Sequence, residues 1–240
     1  MSGGPAANPV DRIPHTGMIG VVIPAYDAAK TVGIAAAGAL RHLPDVLVVD
    51  DGSADGTQAA AAASGATVVR HPVNRGKGAA LRTGFDWMLS RGADAVITMD
   101  ADMQHDPNDL PGFVEAFRAR RADLIIGSRQ ADFFAMTPGR RFGNRFSCNA
   151  LEFFSGLRIP DSQSGYRLHS APFLKTLRFE SHAYDAEMEV LLEAARRKRR
   201  IETLSITVKA VDGTATSHFR PWLDTWRIIR AVLRYSICTY

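Results

Sequence analysis

Val46–Ser53 reads VLVVDDGS: four branched aliphatic residues that stop at two carboxylates, a glycine and a hydroxyl. A run this short and apolar suits a strand covered on both faces, as in a parallel sheet with helices on either side. The same pattern recurs outward from it. Met18–Pro24 (MIGVVIP) precedes it, and Ala66–Arg70 (ATVVR), Ala95–Met99 (AVITM) and Asp123–Gly127 (DLIIG) follow. Between these runs, Ala28–Leu43, Gly56–Ala63, Gly78–Ser90 and Asn108–Arg120 read as helices, and Asp106 and Asn108 beside Pro107 supply helix-start chemistry. Five βα units in succession predict an α/β fold with an open, doubly wound, mostly parallel central sheet flanked by helices.

The second half of the 240 residues changes character. Arg140–Phe154 is basic and aromatic, Asp161–His169 reads as a polar turn region, Tyr184–Arg199 as a helix, Glu202–Lys209 as an alternating strand and Pro221–Ile237 as a final helix. The expected organisation is a disordered tail over 1–17, one domain over 18–220 and a C-terminal amphipathic helix over 221–240. With 46% apolar and 22% charged residues the chain is neither a disordered polymer, a collagen nor a coiled coil. No run of about 18 apolar residues predicts a membrane-spanning helix, and the first residues lack the apolar core of a signal peptide. Cys148 and Cys238 offer neither a disulfide framework nor a zinc site. A net charge of +4 mildly favours anionic partners; with no recognition motif, nucleic acid is not expected among them.

In open α/β sheets, ligands bind at the carboxyl ends of the strands. Read in order, those ends carry Pro24-Ala25-Tyr26-Asp27, Asp50-Asp51-Gly52-Ser53, His71 through Gly78, Asp100 through His105, and Ser128-Arg129. Asp100-x-Asp102 is the sharpest of these. Two carboxylates two residues apart at a strand end can point the same way, and hard oxygen donors suit Mg²⁺ or Mn²⁺ shared with a diphosphate. Gln104 adds a neutral oxygen on the same alternation. Asp50 and Asp51 could hold a ribose or base, or could cap the helix that follows. Asn74-Arg75-Gly76-Lys77-Gly78 resembles a phosphate cradle but lacks the spacing of a P-loop, and no GxGxxG occurs. His71, His105 and His169 read as polar rim residues. Arg196 to Arg200 reads as the solvated C-terminal end of a helix, where cations suit the dipole.

Taken together, VVIPAYDA, VVDDGSADGT, NRGKGAA, MDADMQHDP, IIGSR and DSQSGYR resemble, in order and spacing, a family-2 glycosyltransferase with the Rossmann-like GT-A fold. The nearest branch is the dolichyl-phosphate mannose synthase and polyprenyl-phosphate sugar transferase group. The resemblance implies an inverting, metal-dependent enzyme that moves a sugar from GDP-mannose or a UDP-hexose to a polyprenyl monophosphate; a family member acting on a soluble glycan or small molecule is the alternative. It also implies site roles. Pro24, Tyr26, Asp27, Asp50, Asp51, Lys77, Asp100 and Ala101 would serve the donor nucleotide. Asp100, Asp102 and Gln104 would hold Mg²⁺ or Mn²⁺. Arg129 and Arg140 would flank the donor diphosphate and the acceptor phosphate, and Asp161 would sit beside the acceptor, orienting it or an arginine.

A lipid monophosphate is already anionic at neutral pH, since its second pKa is about 6. It needs cations against charge repulsion more than it needs a base, which makes Arg129 and Arg140 more critical than any candidate base. A polyprenyl acceptor also requires contact with a membrane surface. Two segments suit it, each with four arginines against one aspartate: Arg129–Arg145, with Phe133, Phe134, Met136 and Phe142, and His218–Tyr240, with Trp222 and Trp226. The expected location is cytoplasmic, peripheral at the cytoplasmic face of the membrane, alongside a separate membrane partner protein. In the late loop Val211–Arg220, Ser217 is kept where the branch often has a serine. His218 replaces the usual lysine, and Lys209, His218 and Arg220 are the candidate substitutes for a missing arginine.

Overall fold

The structure is a computed structural model that describes residues 17–120, 122–129, 138–177 and 186–207. The first half alternates as the sequence predicts: β1 (Ile19–Ala25), α1 (Val32–Leu40), β2 (Val46–Asp50), α2 (Thr57–Ala63), β3 (Thr67–Arg70), α3 (Lys77–Ser90), β4 (Ala95–Thr98), α4 (Leu110–Arg120) and β5 (Leu124–Ser128). Then come α5 (Pro138–Ser155), β6 (Arg167–Ser170), α6 (Ala171–Thr176), α7 (Ala186–Arg196) and β7 (Ile201–Ser205). The strands form a seven-stranded sheet in the order β3-β2-β1-β4-β6-β5-β7.

Strand side chains alternate between two apolar layers. Val22, Leu47, Val49 and Val96 face Leu81, Phe85 and Met88 of α3 and Leu191 of α7. Val21, Ile23, Val48 and Ile97 face Val32 and Ala36 of α1 and Phe113 and Phe117 of α4. This is why β1, β2 and β4 are apolar at nearly every position rather than at every second one. Each of the larger side chains contributes about 2 kcal/mol by leaving water.

The sheet departs from the sequence reading at one place. β5 does not lie beside β4; β6 runs between them, antiparallel to both. β6 reads Arg-Leu-His-Ser and falls at the end of the stretch expected to be a polar turn. Its polar side chains are buried: Arg167 is 1% and His169 2% exposed. The remaining strands are mutually parallel, so their carboxyl ends share one edge of the sheet. Because β6 runs the other way, it begins at that same edge, and residues 161–166 are delivered there. The antiparallel strand therefore brings the DSQSGYR loop to the rim that carries Asp100 and Arg129.

The Arg196–Arg200 run ends α7 as expected: Arg196 and Arg197 pair with Glu193, and Arg199 lies 3.7 Å from Asp123. No helix of the described residues is long and apolar enough to cross a membrane. Residues 1–16 of the expected tail, the late loop 211–220 and the C-terminal helix 221–240 lie outside the described residues.

Candidate active site

On the β1–β3 half of the rim, carboxylates are spent on backbone. Asp50 is fully buried; its Oδ1 accepts the Ser53 N–H at 3.0 Å. Arg70 Nε lies 3.5 Å from Asp50 Oδ2, an ion pair too loose to count as a hydrogen bond, so Oδ2 has none among the described residues. Asp51 accepts the Arg75 N–H at 3.0 Å and the Gly76 N–H at 2.6 Å, and its Oδ1 lies 2.6 Å from His71 Nδ1. Asp27 receives the Ala54 N–H at 2.9 Å and gives its own N–H to Ser53 Oγ at 2.9 Å. Its φ of 47° lies in the left-handed region, where a short Asp side chain is better tolerated than a bulky one. Gly52, at φ 75°, is required: a Cβ there would stand 2.4 Å from the Val73 carbonyl carbon. Tyr26 is 41% exposed at the tip of β1.

The centre of the rim is built differently. Lys77, the first residue of α3, places Nζ 2.6 Å from Asp100 Oδ1 and 2.7 Å from Glu187 Oε1. Burial alone would lower the lysine; Asp100 and Glu187 carry it far above its ordinary value. Burial likewise pushes the Asp100 carboxyl up, but Lys77 overrides it and holds it down at about 2. His105 accepts the Asp100 N–H through Nδ1 at 3.3 Å, which puts its own proton on Nε2. Burial pushes its pKa down to about 4, so it is a neutral prop under the Asp-x-Asp turn, stacked on Tyr166. Gly165 lies so close that a Cβ would be 2.5 Å from Asp100 Oδ2. Asp102 is partly exposed, and its Oδ1 accepts the Gln104 N–H at 3.0 Å. Ala101 is packed into an apolar layer between these two carboxylates.

On the β5 side, Asp161 grips Arg129 in a fork: Nε to Oδ2 at 2.7 Å and Nη2 to Oδ1 at 3.0 Å. Of the two roles expected for Asp161, orienting an arginine is the one seen. The loop that carries Asp161 is fastened by Arg167, whose guanidinium donates to the carbonyls of Ser162, Ser164 and Glu187, each at 2.7 Å. From α5, Asn144 Oδ1 accepts the Ser162 N–H at 3.3 Å. Arg140 stands in the first turn of α5, and its side chain lies outside the described residues. Of the basic-aromatic stretch, Arg145 and Phe146 are exposed, as are Phe153 and Phe154 further along α5. Phe133, Phe134 and Met136 lie outside the described residues.

The structure thus gathers Pro24, Lys77, Asp100, Gly165, Arg167 and Glu187 around one recess. It corrects one expectation. His71, His105 and His169 are buried rather than polar rim groups. Lys77, expected beside the donor nucleotide, is a half-buried bridge between the carboxylates of Asp100 and Glu187. Glu187 and the three-carbonyl role of Arg167 were not legible. Glu187 belongs to none of the sequence motifs, and only its pairing across the fold with Lys77 reveals it.

Among the described residues no three acidic, histidine or cysteine groups form a closed metal cage. Mg²⁺ or Mn²⁺ does not need one when substrate phosphates complete its shell, and one or two carboxylates with a neutral oxygen then suffice. Asp102, Gln104 and Asp100 fit that open type. Among the described residues, Lys77, Arg129 and Arg167 face Asp100, Asp102, Asp161 and Glu187.

Rim and recess together form a charged, strand-end site of the kind that suits a phosphorylated ligand, and the comparisons give the family. The model for "Glycosyl transferase family 2" matches residues 20–178. The chain belongs to glycosyltransferase family 2 and is a glycosyltransferase. It is 32% identical over 205 residues to an undecaprenyl-phosphate mannosyltransferase of Micrococcus luteus, covering 78% of this chain and 81% of that one. It is 36% identical over 168 residues to a polyprenol monophosphomannose synthase of Mycolicibacterium smegmatis, covering 65% and 63%. In fold it is similar to glucosyl-3-phosphoglycerate synthase from Mycobacterium tuberculosis in complex with phosphoglyceric acid. That match has a TM-score of 0.74 at 23% identity, covering 91% of this chain and 80% of that one. The same enzyme has been crystallised with Mg²⁺ and UDP, a structure matching at TM-score 0.69.

Proposed function

We propose that this glycosyltransferase moves a sugar from a nucleoside diphosphate sugar, GDP-mannose or a UDP-hexose, to a polyprenyl monophosphate, inverting the anomeric centre. The observation that carries the reading is the cation–carboxylate network at the rim. It can exchange partners with a diphosphate and a divalent cation without unfolding the loops. The named activities of the two bacterial relatives supply the acceptor class.

In this reading Pro24, Tyr26, Asp27, Asp50 and Asp51 frame the nucleoside, directly or by shaping the loops, with Lys77 and Ala101 beside the diphosphate. Asp102, Gln104 and Asp100 hold Mg²⁺ or Mn²⁺, which as a Lewis acid offsets charge on the leaving diphosphate. Arg129 is aimed by Asp161 and, with Arg140, holds the acceptor phosphate against repulsion from the donor. The acceptor oxygen is already deprotonated, so no residue is needed as a base, and direct in-line attack inverts the sugar. The acceptor places the enzyme at a membrane surface, on its cytoplasmic face where nucleotide sugars are made, beside a membrane partner protein.

The test incubates the protein with Mn²⁺, polyprenyl phosphate and a panel of labelled GDP- and UDP-sugars. Metal-dependent label in an organic extract is expected, and the sugar that delivers it names the donor. Label that stays in water across the panel contradicts the proposal.

A further inference from the structure

Resting on the donor site proposed above, we propose that Glu187 is a positioning residue of that site, keeping Asp100 available to the divalent cation by sharing the ammonium of Lys77. Three elements meet here: Lys77 opens α3, Asp100 follows β4, and Glu187 lies in the first turn of α7. The ammonium is held at 2.6 Å from Asp100 and 2.7 Å from Glu187, so neither carboxylate has it alone. The place of Glu187 is fixed independently, because its carbonyl accepts from Arg167 Nη1 at 2.7 Å, and Arg167 also fastens Ser162 and Ser164 of the Asp161 loop. Glu187 Oε2 is buried without a hydrogen-bond partner among the described residues.

A lysine withdrawn from most of its water needs a counter-charge. When a divalent cation takes Asp100, Glu187 is a carboxylate that still compensates Lys77. Without the Glu187 charge, Lys77 leans more heavily on Asp100 and competes with the metal for it. Glu187 therefore weakens the Lys77–Asp100 pair without touching either substrate.

The experiment measures Mn²⁺ affinity by electron paramagnetic resonance in the presence of UDP or GDP, for wild type, E187Q, K77M and the double variant, with thermal unfolding recorded for each. E187Q is expected to weaken Mn²⁺ binding by about tenfold, the scale on which groups behind metal ligands act. In the K77M background the Glu187→Gln change should leave Mn²⁺ affinity unmoved, because the cation it acts through is gone. Should E187Q fail to fold, E187D, which keeps the charge but shortens the reach, should shift affinity in the same direction by less. A lowered melting temperature with unchanged Mn²⁺ affinity would show a merely structural ion pair and overturn the proposal. Equal losses in both backgrounds would overturn it as well. Wild type that binds Mn²⁺ and transfers sugar while E187Q matches it sinks this inference alone, whereas wild type that binds no Mn²⁺ with either nucleotide sinks the donor-site reading and this inference with it.

Discussion

The two halves of the rim use the same residue type for different ends. On the β1–β3 side, Asp27, Asp50 and Asp51 accept backbone N–H groups and stitch neighbouring loops together. At the centre, Asp100 and Glu187 are held by a side-chain cation, and on the β5 side Asp161 is gripped by the Arg129 guanidinium as well as by the Gln163 N–H. A carboxylate bound to backbone N–H groups cannot let go without unmaking a turn. One bound to a lysine or arginine can exchange that cation for a metal or lend it to a phosphate. In the proposed reaction the first half would be a scaffold for the nucleoside, and the second the place where charge can be rearranged.

Substitutions can break this contrast. The largest effect is expected at Asp102. D102N should cut metal-dependent turnover by about 10³-fold, the scale of a lost electrostatic contact to the reacting group. An asparagine oxygen can still accept from Gln104, so the melting temperature should hardly move; turnover within tenfold of wild type would remove Asp102 from the metal site. D51A should do the reverse. It strips the Arg75 N–H and His71 Nδ1 of their partner and leaves the Gly76 N–H only Asn74 Oδ1, at a cost of about 3 kcal/mol read in urea unfolding. Unchanged stability with lost turnover would make Asp51 a substrate ligand rather than a scaffold.

A third prediction concerns His169 on β6. Burial, with Arg167 adding to it, pushes its pKa down to about 3, so it is neutral in the fold and must gain a proton on unfolding in acid. A depressed folded pKa contributes stability that is fully present above the unfolded value of about 6.5 and is lost as pH falls toward 3. Between pH 7 and pH 5 this amounts to about 2 kcal/mol. H169Q should flatten that part of the pH–stability curve; parallel curves for variant and wild type would contradict it. The smallest effect is expected for G165A. Its methyl would press on Asp100 Oδ2, and the metal concentration for half-maximal activity should rise about tenfold. An unshifted metal titration would mean the loop gives way freely.

The same contrast explains what the sequence could tell. β1, β2 and β4 are buried at nearly every position and apolar except at Asp50 and Thr98, so their runs announce themselves, and helix caps such as Asp106 mark the turns between them. The Asp-x-Asp pair was legible because it sits where a predicted strand ends. β6 was not, because it buries Arg167 and His169 by satisfying or neutralising them rather than by being apolar. Glu187 was invisible for a related reason: its partners Lys77 and Asp100 are distant in the chain, and only the sheet order brings them together. Asp161 was half legible, since an aspartate in a Ser- and Gly-containing stretch reads equally as a turn former.

The most direct measurement offers wild-type protein a choice of acceptors. Polyprenyl phosphate in vesicles and 3-phosphoglycerate in water are supplied together with Mn²⁺ and the labelled donor, and the label is followed into each phase. The account predicts metal-dependent label in the lipid extract, abolished in D102N. Label accumulating in a water-soluble phosphate sugar, with none in the lipid, would contradict it and assign the Arg129–Asp161 side of the rim to a small acceptor.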